Sequence, residues 1–239
     1  ANSPGSFFGQ EKQGVRPVEA KSTKQIRIKV ISPSDFDKDE SRRLLWGDYW
    51  VKFELERTFE SLGLEVVDDT PDVVLYLFGV PVLGLSNNTY NIVWLYSHPD
   101  MVTPDNLKQF DKIFCLSSSF IPKLTAMGYK DIDLMIGATC KTPLNIPNKY
   151  DISFIGNSRG PQGRQIITDI GDIPYNFKVW GEGWNAILPK QYYGGRYYDY
   201  QKLGEVYASS VISINDHHPD MSRDGFVAVK IFDILASGG

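Results

Sequence analysis

The chain has 239 residues, of which 42% are hydrophobic and 23% charged, the balance of a soluble globular protein with room for one large core or two smaller ones. A formal net charge of -4 argues against a broad basic face for nucleic acid or anionic lipid. Two cysteines without metal-ligand spacing, Cys115 and Cys140, read as reduced thiols of a cytoplasmic protein. No apolar run approaches the ~20 residues of a membrane-spanning helix, and the chain does not open on a signal-peptide pattern.

In chain order, "ANSPGSFFGQEKQGVRPVEAKSTK" over residues 1–24 is rich in Gly, Ser, Pro, Lys and Glu without periodicity, and reads as a disordered tail or linker. It starts without methionine, which fits a piece of a longer multidomain chain or a processed one. From residue 25 short apolar runs alternate with helical stretches: "IRIKVIS", "LEVVD", "DVVLYLFG", "NIVWLYS", "KIFCLSS" and "DIDLMIGA". Runs this short and this rich in Val, Ile and aromatics predict strands of a parallel sheet buried on both faces. "GDYWVKFELERTFESLG" predicts a helix with Val51, Leu55, Phe59 and Leu62 on one stripe and Gly63 as its left-handed stop. "PDNLKQF" and "SSFIPKLTAMG" predict further connecting helices, the latter ending at Gly128.

A polar, proline-punctuated connector, "CKTPLNIPNKYD", interrupts this rhythm before "DISFIGN", "FKVWGEGW" and "SVISIND" restart it. The pattern predicts an α/β protein of two Rossmann-like parallel-sheet units facing a cleft, residues 25–145 and 146–239. The second unit reads as incomplete, because "FDILASGG" should lead into another strand. The cluster "QYYGGRYYDYQ" reads as a sticky rim for a sugar or, equally, as packing.

Ligands of open α/β sheets bind beyond the carboxyl ends of the strands. His98 follows "NIVWLY", and His217 and His218 follow "VISIN", so all three histidines sit at predicted strand exits. In "GFVAVKIFDILASGG" apolar residues cover most sides of a predicted helix, yet Lys230 and Asp233 stand one turn apart. A surface ion pair between them is worth only ~0.2–0.5 kcal/mol. The other reading is a helix N-terminus that meets a phosphate, with Lys230 adding a cation and Asp233 accepting from sugar hydroxyls. "SRDGF" before it supplies Arg223, Asp224 and Gly225, a turn that lets backbone amides approach an anion. A dinucleotide-dependent epimerase is set aside, since "VISPSDFD" after the first strand has no G-x-G-x-x-G.

These motifs together resemble GT-B glycosyltransferases of the group 1 type, most of all the spore-maturation-protein-like branch. In that branch an acidic-Gly-aromatic turn leads into a helix ending "R-x-F-[DE]-x-L-A-[CS]-G", here "KIFDILASG". "WGDYW", "WLYSHPD" and "LMIGATC" carry the likeness in the first half. The resemblance implies transfer of a sugar from a nucleotide-diphosphate donor, held by the C-terminal unit, to a carbohydrate or other glycan, lipid-linked or protein acceptor against the N-terminal unit. It implies no essential metal and no further cofactor. It is compatible with peripheral contact at the inner face of a membrane and with polysaccharide biosynthesis.

By the same resemblance Asp233 would hold the ribose and Lys230 the diphosphate. Arg223, Asp224, Gly225 and Phe226 would form the turn near the donor sugar, with His217 and His218 beside it. Gly156, Asn157 and Arg159 would meet the diphosphate from the first strand exit, and Gly181 and Gly183 would leave room for base or ribose. His98 and Asp48 are the acceptor-side candidates for a general base, and Asp48 reads equally as a helix N-cap. Lys230 stands where arginine is expected and lacks the bidentate fork, and Val229 stands where a polar residue is usual. The second reading, from another class, is a non-catalytic GT-B-like module that binds a nucleotide or glycan within a larger glycan-assembly protein.

Overall fold

A computed structural model describes residues 24–79 and 84–239, so the tail read over residues 1–24 lies, but for Lys24, outside the described residues. The predicted apolar runs become β1 (Arg27–Ile31), β2 (Glu65–Val66), β3 (Val73–Leu77), β4 (Tyr90–Leu95), β5 (Lys112–Cys115) and β6 (Ile132–Leu134). They form one parallel six-stranded sheet in the order β2-β1-β3-β4-β5-β6. The connecting helices are α1 (Glu40–Arg43), α2 (Gly47–Ser61), α3 (Pro104–Leu107) and α4 (Ile121–Ala126). Val51, Leu55 and Phe59 of α2 lie against the core built by Val30, Leu77, Val93, Leu95 and Ile113. Leu62 departs from the predicted stripe. It is the C-cap and 70% exposed, because the helix has already turned away at Gly63, whose φ is +84°.

The second sheet holds β7 (Tyr150–Ile155), β8 (Phe177–Trp180), β9 (Tyr193–Gly195) and β10 (Ser210–Ile214), all parallel, in the order β10-β7-β8-β9. Between its strands run α5 (Gln165–Thr168) and α6 (Leu203–Ala208). Phe154, Ile167, Phe177, Val179, Trp184 and Tyr192 make its core. The chain moves outward from β7 to β9 and then returns to the other side of β7 with β10, which puts the topological switch point between the β7 and β10 exits. Both layers are parallel and Rossmann-like. No helix among the described residues is long and apolar enough to cross a membrane.

The last stretch corrects the predicted helix from Gly225. After β10 come α7 (Pro219–Arg223) and, only from Lys230, α8 (Lys230–Ser237), which Gly238 closes at φ +93°. Burial all round does not hold either, since Val227 is 39% and Leu235 65% exposed. The apolar residues before α8 serve the other sheet. Met221 and Phe226 are buried in the core of the six-stranded sheet, and the Phe226 ring meets Phe120 edge-on at 5.3 Å. Asp224, 5% exposed, accepts from Lys123 on α4 and from Arg223, and its carbonyl takes the Ser117 hydroxyl at 2.6 Å. Gly225 has φ +72°, and a Cβ there would lie 3.1 Å from both the Ser117 and Ser119 hydroxyls. Residues 219–229 are therefore a strap fastened to the first sheet.

Phe226→Ala should remove about 3–5 kcal/mol of stability by the usual cost of a buried phenylalanine. Its signature is location: hydrogen exchange should accelerate in β5 and α4, not in the sheet that precedes Phe226 in sequence.

Candidate functional site

The exits of β7 and β8 interlock. Gly156 N–H donates to the Trp180 carbonyl at 2.8 Å, Ser158 N–H to Glu182 O at 2.9 Å, and Glu182 N–H to Asn157 Oδ1 at 2.9 Å. Trp184 Nε1–H donates to Gly156 O at 2.6 Å. A Cβ on Gly181 would run into the Gly156 carbonyl, and one on Gly183 into the Ser158 hydroxyl. Both glycines also have positive φ, +140° and +86°, which side chains rarely tolerate. The room they leave is filled by the neighbouring strand exit, not by a base or ribose, which corrects the reason given for them. Asn157 reaches the other half, its Nδ2 donating to Leu45 O at 3.1 Å.

This interlock presents a cluster of cations at the switch point. Arg159 and Arg164 each lie 3.4 Å from Asp216 Oδ2, just beyond β10. Arg164 also donates to Asn157 O at 2.7 Å. Lys230 Nζ, from the first turn of α8, donates to the Ile155 carbonyl. Arg164 and Lys230 both lie against the Phe154 ring, at 5.0 and 5.3 Å from its centre, a modest compensation for buried positive charge. Burial, followed by the charges of Arg164 and Arg159, lowers the Lys230 ammonium to a pKa of about 7. Burial and Arg159 lower Arg164 to about 10. These cations repel one another; Asp216 pairs with both arginines, while Asp233 acts on Lys230 and Asp220 on Arg159 from farther off, a setting that favours an incoming anion.

Lys230 and Asp233 do not pair with each other. Asp233 accepts from the Thr139 hydroxyl, and burial raises its pKa. Thr139 Oγ1 accepts from Lys141 N–H at 3.0 Å, while Lys141 Nζ donates to Tyr200 O at 3.0 Å and lies 3.7 Å above the Tyr200 ring. Tyr200 stacks flat on Trp50 of α2, with ring centres 4.3 Å apart. A cavity of about 620 Å³ opens next to these groups, between α2, the connector and the start of α6, and includes Glu54, Arg57, Cys140, Thr142 and Gln201 in its lining.

On the first sheet's side His98 meets His218 edge to face, with ring centres 4.8 Å apart. His98 and Arg159 are two of the three non-glycine residues with positive φ among those described, at +55° and +63°. Such backbone costs on the order of 1–3 kcal/mol and concentrates at ligand sites. His217 is committed elsewhere, its Nε2 accepting from Ala228 N–H at 3.1 Å. Asp48 is not the N-cap of α2, a position held by Trp46. It is 8% exposed, accepts from Ser34 N–H at 2.8 Å, and burial raises its pKa. The structure therefore brings together Gly156, Asn157, Arg159, Lys230, His98 and His218. Arg223, Asp224, Gly225 and Phe226 are engaged in the strap, with Arg223 also pairing with Asp100.

Sequence reasoning passed over Arg164, Asp216 and Thr139, and met Tyr200 only within the cluster "QYYGGRYYDYQ". Arg164 had a visible signal, a second arginine in the loop "GNSRGPQGRQ" after a predicted strand.

No family model matches this sequence, and no curated protein matches it. Among solved structures the fold is similar to that of a T4 phage β-glucosyltransferase mutant in complex with UDP-glucose. The TM-score is 0.54 at 11% identity, over 89% of this chain and 79% of that one. That likeness establishes the GT-B fold.

His218 supplies a pH test of the geometry. Burial, then Arg159 and His98, lower its pKa from 6.5 to about 4. The unfolded chain binds a proton that the folded one refuses between those values, so stability present above pH 6.5 should be lost as pH falls toward 4. Unfolding free energies from urea titrations at pH 7 and 5 should differ by about 1 kcal/mol more in the parent than in His218→Gln, a figure discounted for partial exposure.

Proposed function

We propose that the chain is a glycosyltransferase, related to the spore-maturation-protein-like branch, that moves a sugar from a nucleotide-diphosphate donor to a glycan, lipid-linked or protein acceptor. The observation that carries this reading is the convergence of Arg159, Arg164 and Lys230 on the switch point, where Asp216 is the carboxylate that pairs with both arginines. A diphosphate supplies the missing negative charge there. The ribose falls to Asp233, one turn along α8, and the cavity beside Lys141 and Tyr200 is open to the base.

In the transfer, an acceptor oxygen bonds to the anomeric carbon as the bond to the diphosphate breaks. The electron pair leaves on the diphosphate, where the three cations stabilise it, the electrostatic contribution that usually dominates such steps. In this reading His98 takes the acceptor proton in an inverting transfer, with His218 beside it as the supporting observation. Asp48 is better suited to fixing the β1 loop through Ser34. The reaction proposed needs no resident metal or cofactor, and the protein is assigned to the cytoplasm or the inner face of a membrane, in polysaccharide biosynthesis.

Thermal melting with a panel of nucleoside diphosphates and nucleotide sugars tests the donor site directly. One nucleotide should raise the melting temperature by several degrees, and Lys230→Ala and Asp233→Ala should each abolish the shift. No shift with any nucleotide would end this reading.

A sharper expectation concerns pH. An anion selects the protonated lysine, which is already charged below a pKa of about 7. Affinity for the diphosphate should be level below that pH and fall above it, approaching tenfold per unit until the bound-state pKa is reached. Lys230→Met should weaken binding by roughly 10–100-fold and flatten this slope, read by calorimetric titration across pH 6 to 9.

A further inference from the structure

The cavity of about 620 Å³ is walled by both units, with α2 on one side and the connector and the start of α6 on the other. A nucleobase is uncharged and would use only the end beside Tyr200, so the α2 wall has no part in the donor reading. On that wall Arg57 is 63% exposed, and its ion-pair partner Glu54 stands 3.6 Å away on the same helix. That is longer than a hydrogen bond, so the guanidinium keeps its donors for a ligand. Lys141, across from it, gives one of its three ammonium donors to the Tyr200 carbonyl. The Thr58 and Ser61 hydroxyls donate to the Glu54 and Thr58 carbonyls of α2, each at 2.7 Å. Their protons are engaged, and toward the cavity they can only accept. Phe53 and Leu144 add apolar surface for a carbon ring.

We infer that this cavity is a second ligand site, for an anionic monosaccharide of the sugar-phosphate or sugar-acid kind. Arg57 and Lys141 outnumber the one carboxylate in the lining, Glu54, and call for a negative charge. Thr58 and Ser61 call for hydroxyl groups that donate. The volume falls within the ~300–1,000 Å³ of small-molecule sites. A ligand held in this way touches α2 of the first unit together with the connector and α6. None of the switch-point cations lines the cavity, so the site stands or falls separately from the donor reading.

The test is calorimetric titration of glucose 6-phosphate, glucuronate, glucose and inorganic phosphate into the parent chain, Arg57→Gln, Thr58→Trp and Lys230→Ala. At least one of the two anionic sugars should bind the parent roughly tenfold more tightly than glucose or phosphate, the worth of one charge-assisted hydrogen bond. Which of them does so separates the phosphate from the carboxylate. Arg57→Gln should weaken that binding about tenfold, Thr58→Trp should abolish it by filling the cavity, and Lys230→Ala should leave it unchanged. Arg57 and Thr58 are exposed and bond only within α2, so both variants should melt with the parent, and should one melt lower the other decides. No binding of either anionic sugar overturns the site, as does binding no tighter than that of glucose or phosphate. Binding that survives Arg57→Gln and Thr58→Trp but is lost in Lys230→Ala puts the anion at the switch point and overturns this inference while supporting the donor site. An anionic sugar that binds as expected where no nucleotide does ends the donor reading and leaves this site standing.

Discussion

The arrangement around Lys230 constrains everything near it. An ammonium beside two guanidinium groups, with Asp216 as the shared carboxylate, is unfavourable to bury, and its pKa of about 7 expresses that cost. The Phe154 ring and the Ile155 carbonyl offset part of it. The remainder must be met by the folding energy of the rest of the chain, which is why the site sits where two cores and an interlocked pair of strand exits hold it rigidly. A lysine suits this position better than its missing fork would suggest. Unlike arginine it can shed its proton while the site is free and regain it when an anion arrives.

Rigidity comes from backbone meeting backbone. Gly181 and Gly183 let the β8 exit press against Gly156 and Ser158, and the hydrogen bonds between these exits aim Asn157 across to Leu45. Arg159 is held in left-handed backbone at the end of this lock. Gly194 plays a similar part at β9, where a Cβ would strike the Trp180 ring. The tyrosines around it are largely packing: Tyr192 is buried, and Tyr198 meets Trp180 edge-on at 5.5 Å.

Much of the fold was legible because strands of a parallel sheet are short runs rich in apolar and β-branched residues, and nine such runs became strands, although β2, β6 and β10 are not buried on both faces as expected. β9 was not, since "YGG" has neither length nor apolar character, and its glycine lies where a Cβ would strike the Trp180 ring. Phe226 misled for the opposite reason. Its apolar run reads as helix, but its partner Phe120 lies more than a hundred positions away in sequence, and local pattern carries no trace of such contacts. The site was legible by halves. Lys230 and Asp233 stood out as charges in an apolar stretch, and each has a partner of its own as burial demands. Arg164 and Thr139 became visible only when the switch point and the connector were in place. At Gly181 and Gly183 the need for close approach was readable, but what approaches them is set by tertiary structure.

The chain crosses between the two sheets three times, at the connector after β6, from β10 to the strap, and from the strap back to α8. The strap is buried in the first core through Met221 and Phe226, yet the helix it leads into packs on α6 of the second unit. Lys230 stands at the join of these two attachments, hydrogen-bonded to β7. Asp233 is likewise tied to Thr139 in the connector, Trp50 to Tyr200, and His98 to His218. Any separation of the sheets must therefore pull on Lys230 from one side and on β7 from the other.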